Sequence, residues 1–393
     1  MSTSPKNLLR FGIFSTGDIA YTFTESLLKN NYGEEHQIQV VAVVSRELEK
    51  AQQFANHFSS KVTTTTETNS LQSPSPINPH LDDMSSEERS IKAYHNYEQF
   101  FNDDSIDIVY IASPHYFHYE HCKMALEHGK NVLCEKAFTI NAKEAAELIE
   151  LARKKNLFLM EAMWTRFFPA NRQMMQLIKN GEIGQITHIN VSLGFVGTKR
   201  QPSKDHRLYK LESGGGSLLD CGVYCISAII QVVNGIGCEK VSKIQSLMNM
   251  DSQTGTDTQC SALIEFERFD SHTNSSQPIY ATFHCSFVNE FSRILEICGT
   301  EGIIQVHNSF HRPTSFTLIK QGTSGITTKT YEFPKDYQEG SGFFYEIQHI
   351  LELWKEHQIE SPLMPHHETL AVMQVMDTIR QAHQFYYPKE HNH

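Results

Sequence analysis

Between residues 8 and 163 the chain alternates short apolar runs with longer amphipathic stretches. "LLRFGIFS" (8–15), "IQVVAVVS" (38–45), "IDIVYIAS" (106–113), "KNVLCEK" (130–136) and "LFLMEAM" (157–163) read as strands. Their near-continuous Val, Ile and Leu content fits a parallel sheet buried on both faces. Between them, 18–30, 46–58, 117–128 and 141–155 carry apolar residues at helical spacing. Strand and helix in this rhythm predict right-handed crossovers and an α/β, Rossmann-type doubly wound parallel sheet.

Beyond about residue 164 the pattern changes. Helical stretches near 170–181 and 215–233 are joined by runs of strand character at 186–196, 240–249, 258–267, 279–288, 292–298, 302–306, 314–319 and 327–333. Tight turns such as "GTEG" and "QGTSG" separate several of them. They predict a C-terminal α+β domain with a large open, mostly antiparallel sheet. A last helix, 366–384, has apolar spacing of three and four and is placed to pack back on the first domain. The expected domains are 1–163, for dinucleotide binding, and 164–393, for substrate binding and dimerisation. The Ser-, Thr- and Pro-rich segment 60–90 has too little apolar surface to offset its ordering entropy and reads as a surface insertion.

A chain of 393 residues with 39% hydrophobic and 20% charged residues is an ordinary globular composition. Its net charge of −11 argues against sequence-independent nucleic-acid binding, which needs clustered cations. The apolar runs are too short to span a bilayer, and the N-terminus lacks a secretory pattern. With eight cysteines scattered without a C-x-x-C, the expectation is a cytoplasmic protein with reduced thiols, partnering neither membrane nor nucleic acid.

Candidate chemistry begins after the first strand. In "FSTGDIA", Ser15, Gly17 and Ala20 occupy the three positions of G-x-G-x-x-G/A. Gly17 allows close approach of a pyrophosphate, and the turn Ser15, Thr16, Gly17, Asp18 and Ile19 opens a helix whose free N–H groups favour phosphate. The second strand ends at Ser45 and Arg46, where an acidic residue would read a ribose hydroxyl. Arg46 offers a fork suited to a 2′-phosphate, with Lys50 one turn on, which points to NADP. Glu47 beside it pulls the other way.

Ligands of open α/β sheets lie beyond the carboxyl ends of the strands, so "NVLCEK" delivers Glu135 and Lys136 to the cofactor crevice. A lysine there serves as a proton donor or acceptor with a lowered pKa, or orients a hydroxyl and the nicotinamide. Three glycines in "GGGSLLDCGVYC" (214–225) allow a close approach to a ligand or another backbone, and helical continuation puts Asp220 and Tyr224 on one face. His115, His118 and His121 recur every three residues, but no fourth ligand stands at convincing spacing, so no metal is expected.

"GIFSTGDIA", "VLCEKAFT", "LFLMEAMWTRFFPA" and "GGGSLLDCGVYC", in this order, resemble the glucose–fructose oxidoreductase/inositol dehydrogenase (Gfo/Idh/MocA) family. Within it the similarity is to the branch of dihydrodiol dehydrogenases and NADP-dependent D-xylose 1-dehydrogenases. The resemblance implies hydride transfer to NADP from a ring carbon bearing a hydroxyl, with Tyr224 as the proton-transfer group and Lys136 as its partner. It makes Ser113, His115 and His118 cofactor-lining and leaves His121 on a helix surface. Trp164 would stack on the apolar face of a sugar, and Arg166 would either contact ligand or pair with Asp220. It also implies a homodimer through the C-terminal sheet.

Where the family has proline after the lysine, this chain has Ala137. That leaves two expectations, a trans peptide with a shifted lysine or a retained cis bond, which costs about 2.5–4 kcal/mol without proline. The expected activity is oxidation of a sugar, D-xylose to D-xylono-1,5-lactone, with a trans-dihydrodiol of an arene as the alternative substrate. A non-catalytic NADP-binding sensor is the competing class.

Overall fold

The computed structural model describes residues 8–32, 37–63, 90–196, 205–238, 240–270, 275–307, 309–322, 325–337 and 342–392. Most of the 60–90 insertion lies outside these residues, as does 197–204 of the stretch 192–209, expected to wall the substrate pocket.

The first half runs β1 (Leu8–Phe14), α1 (Asp18–Lys29), β2 (Gln37–Val44), α2 (Leu48–Thr63), β3 (Lys92–Tyr94), α3 (Tyr97–Phe101), β4 (Ile108–Ile111), α4 (His118–Glu127), β5 (Asn131–Glu135), α5 (Ala142–Lys155) and β6 (Leu159–Ala162). The strands form one sheet in the order β3-β2-β1-β4-β5-β6, with every adjacent pair parallel. β4, β5 and β6 are buried almost without a break, as their unbroken apolar runs require. The order reverses between β1 and β4, which opens a crevice at their carboxyl ends.

The second half comprises α6 (Pro169–Lys179), β7 (Ile186–Gly194), α7 (Val223–Gly235), β8 (Lys240–Met250), β9 (Asp257–Glu267), the small hairpin β10 (Phe269–Asp270) and β11 (Ser275–Ser276), β12 (Ile279–Ser286), β13 (Leu295–Gly299), β14 (Gly302–Val306), β15 (Ser315–Gly322), β16 (Gly325–Glu332), α8 (Phe343–Lys355) and α9 (His366–Ala382). Its eight-stranded sheet has the order β16-β15-β14-β13-β7-β12-β9-β8, antiparallel except for the parallel pair β7 and β12. One face packs on helices; the other is open, with Leu247 and Ile326 more than 70% exposed. The stretch Leu211–Gly235 is long and apolar enough to cross a membrane, yet 83% of its apolar window is buried between the sheet and neighbouring helices. A helix that is apolar all round is what such a position demands.

α9 contacts the segment that leads into α5. Its Asp377 accepts from the Ala142 N–H at 2.8 Å, and Arg380 donates to the Ile140 carbonyl at 2.9 Å. α8 was not anticipated, nor was the short β3 that closes the edge of the first sheet. All eight cysteines are free, and seven are buried.

Candidate active site

The phosphate-binding turn has the conformation its sequence allows. Ser15 takes φ 111°, a left-handed value in the slot where glycine is usual, and its N–H is held by the Val44 carbonyl at 3.0 Å. α1 begins without a side-chain cap, so its first N–H groups are free, and a Cβ on Gly17 would meet only Ser15 Oγ at 3.8 Å. Thr16, Asp18 and Ile19 are at least partly open there, while Ala20 is buried against the sheet. This uncapped helix start, with open space before Gly17, fits a dinucleotide pyrophosphate. Ser45 receives the Thr16 hydroxyl at 3.4 Å, and Arg46 beside it is exposed. Lys50 ion-pairs with Glu47 at 2.7 Å, so the acid that weighed against Arg46 is engaged by lysine.

At the end of β5 the two charges part company. Glu135, expected in the crevice, turns into the core: it is 5% exposed and accepts from the Tyr110 hydroxyl at 2.6 Å. Lys136 points the other way and reaches Asp220, 3.1 Å from its carbonyl and 3.4 Å from its carboxylate. The Lys136–Ala137 peptide is cis, the second of the two expected outcomes.

Lys136 does not have the lowered pKa expected of a proton shuttle. Burial disfavours its charge, but Asp220, Tyr224 and Glu135 outweigh that and raise the pKa above the ordinary lysine value. Lys136 is therefore a held cation. Asp220 shows the mirror image: burial would raise its pKa, but Lys136, Arg207 and His115 draw it below the usual carboxylate range.

Asp220 and Tyr224 reach the site along a π-helical turn, Leu218–Gly222, that runs into α7. The glycines before it make room for another part of the protein. A Cβ on Gly215 would stand 2.8 Å from the Leu208 carbonyl, and Gly214, at φ 73°, would meet His115 Cβ at 2.8 Å. The Ser217 hydroxyl and Leu218 N–H both donate to Asp257, at 2.6 and 2.7 Å, fixing where the turn starts.

Tyr224 thus lies with its ring 4.7 Å from the Lys136 ammonium and its hydroxyl accepting the Trp164 indole N–H at 2.9 Å. Burial pushes its pKa up, while Lys136 and the Trp164 bond pull it back. Trp164 is not the open platform expected for a sugar ring. It is 8% exposed and packs on Phe168, Phe343 and His311, so what it offers the site is its N–H.

Other expected residues divide. His115 is only partly covered, and its Nδ1 lies 3.1 Å from the Gly214 carbonyl, joining the two domains at the cleft. Burial, with the charges of Lys136 and His118, lowers its pKa to about 3. His118 is fully buried between the carbonyls of Ala137 (2.9 Å) and Ser113 (2.7 Å), so it shapes the backbone behind Lys136 and does not line the crevice. His121, expected on a helix surface, packs 4.3 Å from the Phe14 ring and bonds Ser113 at 2.9 Å.

Arg166 does not pair with Asp220. It is 1% exposed, ion-paired with Glu368, and donates to the Ser227 hydroxyl at 3.0 Å and carbonyl at 3.1 Å. The cavity lined by Arg166, Met174, Ser227 and Phe316 also touches Tyr224, but Lys136, Asp220 and His115 do not line it.

Two more residues stand beside these groups: Arg207, from the stretch 192–209 expected to wall the pocket, and His311, of which local sequence gave no sign. Arg207 is exposed at the rim, 3.4 Å from Asp220. His311, from the loop between β14 and β15, places its ring 5.5 Å from that of Tyr224.

Comparison with known proteins agrees with this architecture. Residues 9–163 match the oxidoreductase family with NAD-binding Rossmann fold, and residues 171–305 match the GFO/IDH/MocA C-terminal domain. Trans-1,2-dihydrobenzene-1,2-diol dehydrogenase of Xenopus tropicalis is 32% identical over 96% of this chain and 99% of its own. D-xylose 1-dehydrogenase (NADP(+)) of Hypocrea jecorina is 29% identical over 96% of this chain and 92% of its own. Among solved structures, a 3-ketoreductase from Actinomadura kijaniata in complex with NADP has a TM-score of 0.69 at 20% identity, covering 95% of this chain and 98% of that one. An aldose–aldose oxidoreductase from Caulobacter crescentus has a TM-score of 0.71 at 17% identity, covering 96% and 97%. The two domain matches and the 32% relative together make this chain a member of the Gfo/Idh/MocA family of NAD(P)-dependent oxidoreductases acting on CH–OH groups.

Proposed function

We propose that the protein oxidises a ring hydroxyl of a sugar with NADP, D-xylose to D-xylono-1,5-lactone being the first candidate reaction. The observation that carries the reading is one constellation: a tyrosine hydroxyl held by an indole N–H, beside a lysine that a buried aspartate keeps charged. NADP, when bound, supplies the hydride acceptor.

Oxidising a C–OH group releases the hydroxyl proton, and Tyr224 Oη is the group placed to take it. Burial disfavours the phenolate this requires, and the site counters with the Lys136 ammonium and the Trp164 N–H. Asp220 and the Asp220 carbonyl hold Lys136 in place, and His115 ties the Gly214 turn to the first domain. Loss of that proton from the anomeric hydroxyl of a pyranose, together with loss of the C1 hydrogen as hydride to NADP, would leave the lactone carbonyl.

Arg46 supports NADP over NAD. Its planar fork is exposed at the end of β2, where a 2′-phosphate would lie, and its charge reaches Tyr97 and His121. The open face of the eight-stranded sheet supports a homodimer, since Leu247 and Ile326 stand on it uncovered.

The test is NADPH formation from NADP and D-xylose. Turnover that is lost in Tyr224→Phe supports the reading. Turnover of a trans-dihydrodiol but not of sugars would move the assignment to the activity in the name of the Xenopus relative. NADPH binding with no turnover of either would favour a sensor.

A further inference from the structure

We infer that His311 is a specificity-determining residue: its imidazole hydrogen-bonds a substrate hydroxyl other than the one oxidised, and so selects a polyhydroxylated ring. The inference rests on the sugar reading above and adds to it the residue that recognises the sugar.

The loop that carries His311 is fixed from behind. The His311 carbonyl accepts from the Thr165 hydroxyl at 2.9 Å, which ties the β14–β15 loop to the turn bearing Trp164. The ring then lies 5.5 Å from the Tyr224 ring and 6.3 Å from that of Trp164, centroid to centroid, beside both groups that define the reacting oxygen.

The hydrogen-bonding capacity of its Nδ1 is unused among the described residues. Nδ1 is shielded from solvent with no partner among the described residues. Buried polar side chains nearly always find a protein or water partner, so an unpaired nitrogen beside a catalytic tyrosine marks a place where a ligand completes the set. Among the described residues no hydrogen bond fixes the ring orientation, so a turn about the Cβ–Cγ bond would bring a nitrogen to a ligand without breaking one.

Burial and the charges of Arg312, Arg293 and Lys136 keep the ring neutral, with a pKa near 3. A neutral imidazole has one donor and one acceptor, matching a hydroxyl, which is both. A pyranose presents hydroxyls around its ring beyond the one at the reacting carbon. An arene trans-dihydrodiol has just one further hydroxyl, vicinal to the reacting one, and apolar diene carbons around the rest of its ring, against which an apolar side chain would serve better.

The experiment is a cycle between side chain and substrate, using D-xylose and its monodeoxy analogues with wild type, His311→Phe and His311→Gln. A site built to bond a hydroxyl rejects the analogue that lacks it. In the wild type, one deoxy analogue should lose about tenfold or more in kcat/KM relative to D-xylose. In His311→Phe, D-xylose itself should lose about ten- to hundredfold, and the penalty for that analogue should shrink to about threefold or less. His311→Gln, which keeps a donor and an acceptor, should restore part of the discrimination. If His311→Phe lowers every substrate by the same factor, the residue only packs, and the inference is overturned while the sugar reading stands. If wild type forms no NADPH from D-xylose, the sugar reading fails and this assignment falls with it.

Discussion

The ammonium of Lys136 lies 4.7 Å from the centre of the Tyr224 ring and 3.4 Å from the Asp220 carboxylate. In the mechanism proposed above, this arrangement makes the lysine a fixed charge and the tyrosine the group that changes protonation.

Tyr224→Phe should remove the proton acceptor and little else. The phenyl ring keeps its packing, and Trp164 loses one acceptor. We expect kcat to fall about 10²–10⁴-fold, the usual worth of a positioned acid or base, with NADPH affinity nearly unchanged. Steady-state rates with D-xylose and fluorescence titration with NADPH measure the two separately.

Lys136→Met should displace the pH profile as well as lower the rate. Burial holds the Tyr224 pKa up, and Lys136 is the largest opposing influence. Without that charge the tyrosine pKa rises further, so the pH at which kcat/KM climbs must move up. A profile that is lower but unmoved would show that Lys136 only positions its neighbours.

Arg46→Ala should shift cofactor choice. Loss of the fork should reduce the NADP-to-NAD ratio of kcat/KM by about 10–100-fold, mainly through KM for NADP. The wild-type preference should weaken with added salt, because Arg46 is exposed.

Arg166→Met should be a stability variant, not a binding variant. It leaves Glu368 buried and unpaired, a change worth about 3–5 kcal/mol. Chemical denaturation should register the loss, and changing Glu368 to Met as well should recover much of it. Arg166→Met that folds normally but binds ligand poorly would return Arg166 to the site.

Glu161 should make the protein less stable as pH rises. Burial lifts its carboxyl to about 7, with Arg166 opposing. In the unfolded chain the same group ionises near about 4.3. Between those values the folded state holds a proton the unfolded state has released, so stability falls through that window, and the loss is complete above it. Glu161→Gln keeps an acceptor for the Phe138 N–H, which now bonds Glu161 at 3.2 Å. Its Tm should therefore fall less than that of wild type between about pH 5 and pH 8.

By itself the sequence determined the strand–helix rhythm of the first domain, the succession of strands in the second, and the turn around Gly17. These depend on periodicity and on residues close in the chain: a strand buried on both faces must be apolar throughout, and an uncapped helix after a glycine is a local object. Lys136 was legible from its place at a strand end, whereas Asp220 and Tyr224 were singled out chiefly by the resemblance of their motif to the family's.

Tertiary structure alone decided which way each charge faces. Glu135 and Lys136 are neighbours in sequence, yet one enters the core toward Tyr110 and the other crosses the cleft to Asp220. Arg166 chose Glu368, a partner 202 residues away, over Asp220. Trp164 gave its N–H to Tyr224, and His311 joined the site from a loop with no motif of its own. Burial raises the cost of an unpaired charge or donor, so each side chain is directed by whichever partner the packed fold brings within reach, and sequence distance does not encode that.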